Sequence, residues 1–97
     1  MTTLELTPEA RDDLRWLRKF EQKIIIEGIE ARLQSEPATQ TRNRKPLRPN
    51  DLASWELRIG KYRVFFDIDE KEESIKIKAV GWKEHNKLMI RGREYQI

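Results

Sequence analysis

Arg58 and Arg63 flank the pair Gly60-Lys61 in a stretch of alternating apolar and polar residues, and these two arginines are the most chemically suggestive feature of the sequence. In a hairpin with a two-residue turn the flanking residues face each other, which pairs Ile59 with Tyr62, Arg58 with Arg63, Leu57 with Val64 and Trp55 with Phe66. Two guanidiniums directly opposite on one sheet face repel by up to about 1 kcal/mol unless an anion intervenes. Two readings follow. Glu56 and Asp67 could neutralise the pair within the surface, or the two forked guanidiniums could cradle a phosphate.

Other residues of useful type cluster around this pair. Arg42, Arg44, Lys45 and Arg48 lie in a stretch punctuated by Pro37, Pro46 and Pro49, where the apolar periodicity disappears. This reads as a basic loop that contacts RNA. Residues 38–63 carry seven Lys/Arg against two Asp/Glu, whereas residues 1–37 carry six against eight and residues 64–97 carry seven of each. An excess of this kind is the electrostatic footprint of a phosphate-bearing partner, or else an ordinary solvated basic surface. Phe65 and Val80 are expected on the arginine face, where an exposed aromatic could stack on an unpaired base or be buried by the tail. Lys76 and Lys78 extend the positive row, and also suit a guard against edge pairing. Trp82, Lys83, His85 and Tyr95 are expected just beyond the sheet. RNA cleavage by a 2′-hydroxyl needs a base, an acid and cations for the phosphorane charge, and the chain ends could bring a proton carrier from Lys83, His85 or Tyr95 near the arginines. A lone histidine in a polar stretch is more often a surface residue than a catalytic one.

Composition removes several alternatives. The 97 residues include no cysteine and one histidine, so disulfide frameworks, thiolate metal sites and cysteine nucleophiles are absent, and neither a metal nor a cofactor is expected. No phosphate-binding or dinucleotide glycine pattern occurs. The longest apolar run is Ile24-Ile25-Ile26, far short of a membrane span, and the first residues lack the regions of a signal peptide. The expectation is a soluble cytoplasmic protein of one domain, residues 1–97, with a core modest enough to gain from a bound partner.

The elements that must position these residues are legible in outline. A short strand over Thr3 to Leu6 is followed by a helix start, with Thr7 as cap, Pro8 at the first position and Glu9 in the first turn. Ala10, Leu14 and Leu17, then Ile25, Ile29 and Leu33, recur at helical spacing and predict two helices, or one bent helix, with a break near Phe20. The hairpin on Gly60-Lys61 follows, and then a strand in which Ile75, Ile77 and Ala79 share a face and which stops at Gly81. The tail from Leu88 allows a small hairpin about Gly92 or a frayed extension. The result is an α+β fold of order β-α-α-β-β-β, its antiparallel sheet covered on one face by two N-terminal helices and followed by a short C-terminal tail.

The run Leu57-Arg58-Ile59-Gly60-Lys61-Tyr62-Arg63-Val64-Phe65-Phe66-Asp67-Ile68, with Ile77-Lys78-Ala79-Val80-Gly81-Trp82-Lys83, resembles the signature of RelE/ParE toxins of type II toxin-antitoxin systems. The resemblance implies a toxin wrapped by a co-encoded antitoxin in a hetero-oligomer. In the RelE branch it further implies an endoribonuclease, or mRNA interferase, that cuts mRNA in the ribosomal A site without a metal, with ribosome and mRNA as partners. By position, Arg63 matches the arginine that binds the scissile phosphate, and Lys83 stands where the family has a second arginine. The sequence departs from that branch where Ser54 and Glu56 replace two lysines and Met89 lies near a tyrosine position. Tyr95, and Lys45 or Arg44, are the residues whose types could take those places.

Two other functions compete. A ParE-like toxin would poison DNA gyrase through protein contact and needs no clustered arginines, and a degenerate toxin would bind RNA without cutting it.

Overall fold

The computed structural model describes residues 3–34 and 40–96, built as seven strands and two helices. β1 (Thr3–Leu6) leads into α1 (Pro8–Trp16), whose start is fixed as the sequence predicts: the Thr7 hydroxyl accepts from the Ala10 N–H at 3.1 Å, and Pro8 fills the first position. The break between helices falls at Leu17 and Arg18, both extended, and not at Phe20. Leu17 turns into the core there, while the Glu21 carboxylate accepts the Arg18 N–H at 3.1 Å and so opens α2 (Lys19–Leu33). Phe20 is helical and 59% exposed. No helix among the described residues is long and apolar enough to cross a membrane.

The stretch read as a basic loop contains a strand, β2 (Arg44–Pro46), that pairs antiparallel with β3 (Trp55–Ile59). The start of that loop, Pro37 included, lies outside the described residues. β3 and β4 (Tyr62–Asp69) form the predicted hairpin, with Arg58 opposite Arg63 and Trp55 opposite Phe66. Its turn requires a left-handed residue, and Gly60 supplies it at φ +57°. β5 (Ser74–Glu84) pairs with β4, runs through Gly81 without stopping, and turns into β6 (Lys87–Ile90) and β7 (Arg93–Tyr95), so the tail is a hairpin. β1 adds to β5 in parallel, on the edge that β6 takes further along.

One irregularity changes the expected faces. A bulge between Phe65 and Phe66 places Phe65 opposite Ala79 and Phe66 opposite Ile77, leaving Lys78 as the extra residue. The alternation of β5 therefore reverses: Ile75, Ile77, Val80 and Trp82 face the helices, while Ala79 and Lys83 face away. The expectation that Ala79 shares a face with Ile77, and Val80 with Phe65, is corrected by that extra residue. The main core lies between helices and sheet and includes Ala10, Leu14, Ile25, Ile29, Leu33, Leu57, Val64 and Phe66. A second, smaller core covers part of the outer face, where Ala53, Phe65, Ala79, Leu88 and Ile90 are closed over by Leu47, Leu52 and Tyr95.

Gly81 sits where this second layer presses closest. A Cβ at this position would run into the Met89 carbonyl and the Ile90 side chain. Gly81→Ala is expected to cost about 1–3 kcal/mol, read as a lowered denaturation midpoint.

Candidate functional site

Alternation from the Gly60-Lys61 turn puts Glu56 and Arg58 of β3, Arg63 of β4 and Lys83 of β5 on the outer face. Lys45 of β2 stands opposite Glu56, and Tyr95 of β7 opposite Leu88, itself the partner of Lys83. These residues come from five strands. Sheet pairing alone gathers them.

Arg63 is 8% exposed, whereas its cross-strand partner Arg58 is exposed. One guanidinium nitrogen of Arg63, Nη1, donates to the Gly60 and Tyr62 carbonyls at 2.9 Å each, which folds the side chain back over its own turn. Its Nε is buried with no hydrogen-bond partner among the described residues. Burial, reinforced by the neighbouring Arg58 charge, pushes the Arg63 pKa down, and Glu56 opposes the shift. An arginine held in this way is a fixed cation short of an acceptor, the condition under which an arriving oxyanion gains most.

Glu56 is the residue that sequence reasoning treated only as a counter-charge. It is buried at 7% exposure, its Oε1 lies 3.9 Å from Lys45 Nζ, and it lines a groove of about 430 Å³ with Lys83, Leu88 and Tyr95. A carboxylate that lines an open groove within electrostatic reach of Arg63 can accept a proton as well as balance charge. The signal was available: the hairpin register places Glu56 opposite Phe65 and diagonal to Arg63, and residues 52–66 contain no other acid.

The remaining candidates divide. Lys83 and Tyr95 line the same groove. His85 does not line it: with Asn86 it forms the β5–β6 turn, both in left-handed conformation, and its side chain is exposed. Phe65 is fully buried in the second core, so the expected base-stacking role is corrected; Leu88, Ile90 and the 47–53 segment occupy the space a base would need. Arg44 is 9% exposed and donates from Nη1 to the Arg32 carbonyl at 2.6 Å, tying β2 to the end of α2, and that inward tether replaces the expected RNA contact. Arg42 and Arg48 are exposed, and Lys45 borders Glu56. Asp67, the other expected counter-charge, accepts from the Ser54 N–H at 2.7 Å and lies 4.0 Å from Lys78 Nζ. No cluster of three or more His, Cys, Asp or Glu suited to a metal ion occurs among the described residues.

Residues 4–86 match the model of the ParE toxin of type II toxin-antitoxin systems. Among solved structures, the chain is 29% identical to one in the RelBE2 toxin-antitoxin complex from Mycobacterium tuberculosis, covering 84% of this chain and 91% of that one at a TM-score of 0.73. The archaeal RelE-RelB complex from Pyrococcus horikoshii matches at 21% identity and TM-score 0.65, over 95% of this chain and 97% of that one. The intact E. coli RelBE complex matches at 17% and 0.59, over 88% and 100%. The last two likenesses speak for the fold alone. No curated protein matches.

Proposed function

Because the chain belongs to the ParE toxin family, and so is a type II toxin of the RelE/ParE superfamily, we propose that it inhibits translation by metal-independent cleavage of mRNA on the ribosome. The observation that carries this reading is the outer sheet face, where the buried carboxylate of Glu56 lines a groove with Lys83 and Tyr95 and stands diagonal to the buried Arg63, whose Nε has no hydrogen-bond partner among the described residues.

In the proposed reaction the 2′-hydroxyl of one nucleotide attacks the adjacent phosphorus. The P–O2′ bond forms as P–O5′ breaks. Glu56 takes the 2′-hydroxyl proton, and Tyr95 or Lys83 delivers a proton to the departing 5′ oxygen. Arg63, with Arg58, meets the charge that develops on the equatorial phosphoryl oxygens. Lys45, Arg42 and Arg48 extend the positive surface along which a single strand is held. The products are a 2′,3′-cyclic phosphate and a 5′-hydroxyl. The reaction as drawn calls on no cofactor, its substrate is met in the cytoplasm, and we read residues 1–97 as one toxin domain.

A co-encoded antitoxin is the second partner we propose. Phe20 and Ile24, one turn apart on α2, are 59% and 43% exposed, an apolar surface of the kind a partner covers. Trp16, at 56%, is exposed on α1.

Primer extension on an mRNA translated in a purified system tests the proposal. Discrete codon-spaced cuts made by the wild type and lost with Glu56→Gln support it. Loss of DNA gyrase supercoiling without any cuts would favour the gyrase-poisoning branch instead.

A further inference from the structure

The edge of β5 away from β4 is occupied twice, by β1 up to Ile77 and by β6 from Trp82, with Gly81 lying against Met89 and Ile90, and among the described residues no strand pairs with residues 78–80 on that side. The polar groups of this gap are met from α1 and its cap. The Thr7 hydroxyl donates to the Lys78 carbonyl at 3.3 Å, and the Val80 N–H donates to Asp13 Oδ2 at 3.0 Å. Asp13 is 3% exposed and sits on the buried face of α1 beside Ala10 and Leu14. A neutral amide could serve the Val80 N–H as well, so a buried carboxylate here needs a further reason.

The second oxygen supplies one. Asp13 Oδ1 lies 3.0 Å from Nε of Arg91, close enough for an ion pair although not aligned as a hydrogen bond. Arg91 opens the β6–β7 turn in a left-handed conformation, φ +51°, which a non-glycine residue keeps only when its surroundings hold it there. The next residue, Gly92, lies against the ring of Trp16, where a Cβ would come within 2.8 Å. Two contacts from α1 thus fall on one turn. Tyr95, carried by the same hairpin, lines both the groove with Glu56 and Lys83 and the cavity of about 720 Å³ that borders Asp13 and Arg91.

We propose that Asp13 is a positioning residue that latches the β6–β7 hairpin to α1 through Arg91, and thereby holds Tyr95 at the groove. Its bearing on cleavage rests on reading that groove as the RNA site; the latch itself does not.

The charges facing Asp13 are Glu9 and Asp12 of its own helix and Arg91 of the turn. Around the adjoining cavity stand Lys78 of β5, Asp51 of the connecting loop, and Arg93, Glu94 and Tyr95 of the hairpin. Burial raises the Asp13 pKa above its ordinary value, against the opposing pull of the Val80 N–H and Arg91. A raised native pKa means the folded state binds this proton more tightly than the unfolded chain. Asp13 therefore makes global stability rise as pH falls from its native toward its unfolded value. Over the same window protonation removes the charge that holds Arg91, so the hairpin loosens while the rest of the fold does not.

Hydrogen exchange of the residue 87–95 amides, corrected for intrinsic rates, tests the latch. Asp13→Asn and Arg91→Gln are each expected to raise opening of this hairpin roughly tenfold at neutral pH while β4 amides hold their protection. The double variant should open no further than either single variant. Mild acid should open the wild-type hairpin toward the level of Asp13→Asn, which itself responds little. Should Asp13→Asn unfold the chain, Arg91→Gln decides, since Arg91 is half-exposed on a turn. Unchanged protection at 87–95 in Arg91→Gln, or single effects that simply sum in the double, would overturn the latch. Cutting rates of the folded variants should fall in step with hairpin opening. A wild type that cuts no mRNA would sink the RNA reading, and exchange would still decide the latch.

Discussion

Arg63→Ala is expected to lower the rate of ribosome-dependent mRNA cleavage by about 10²- to 10³-fold, the loss typical when one preorganised donor to a developing oxyanion is removed. The expectation rests on an Nε without a hydrogen-bond partner among the described residues and on a guanidinium fixed by two carbonyls of its own turn, so the cation is already oriented before a phosphate arrives. Arg63→Lys keeps a positive charge and loses the planar fork, and should recover only a small part of the activity. Because Arg63 also ties the hairpin turn, the thermal midpoint of each variant is measured alongside. A folded Arg63→Ala protein that cuts at the wild-type rate would remove Arg63 from the site.

Phe65→Ala is expected to be among the most damaging single truncations to stability, at about 3–5 kcal/mol. Against the roughly 5–15 kcal/mol that holds a domain of this size together, this is a large fraction. Phe65 is fully buried and lies at the centre of the second core, between the 47–53 segment and the C-terminal hairpin. Its removal should leave a cavity under both and lower the denaturation midpoint. A loss below about 1 kcal/mol with weakened RNA binding would restore the stacking role that residue type alone suggested.

What the sequence disclosed and what it hid have a common cause in local against non-local determination. The Thr7-Pro8-Glu9 start and the Gly60-Lys61 hairpin depend on residues near in the chain, and both stand where their spacing puts them. The bulge at Lys78 is set by how β4 and β5 fit over two cores, and no period in Ile75-Lys76-Ile77-Lys78-Ala79-Val80 announces it. Missing it reversed the faces of Ala79 and Val80. Phe65 followed the same logic: alternation placed it correctly on the outer face, but the segment that buries it comes from an aperiodic stretch and a tail whose pairing periodicity did not fix. Arg44 could not be told from Arg42 by type, and only pairing of β2 with β3 directs it to the end of α2. Of the candidate site, Lys83 and Tyr95 were named from residue type and resemblance, and the sheet brings both to one groove. His85 was named on residue type alone, and a turn carries it outward.

The same register makes Glu56 a neighbour of Arg63, and the account turns on whether that pairing breaks a phosphodiester. End-group analysis of mRNA fragments from a translating system, run with a chelator present, tests this most directly. The account predicts 2′,3′-cyclic phosphate and 5′-hydroxyl ends at discrete positions within translated codons. Fragments with 5′-phosphate ends, or intact mRNA while the protein still arrests growth, would contradict it.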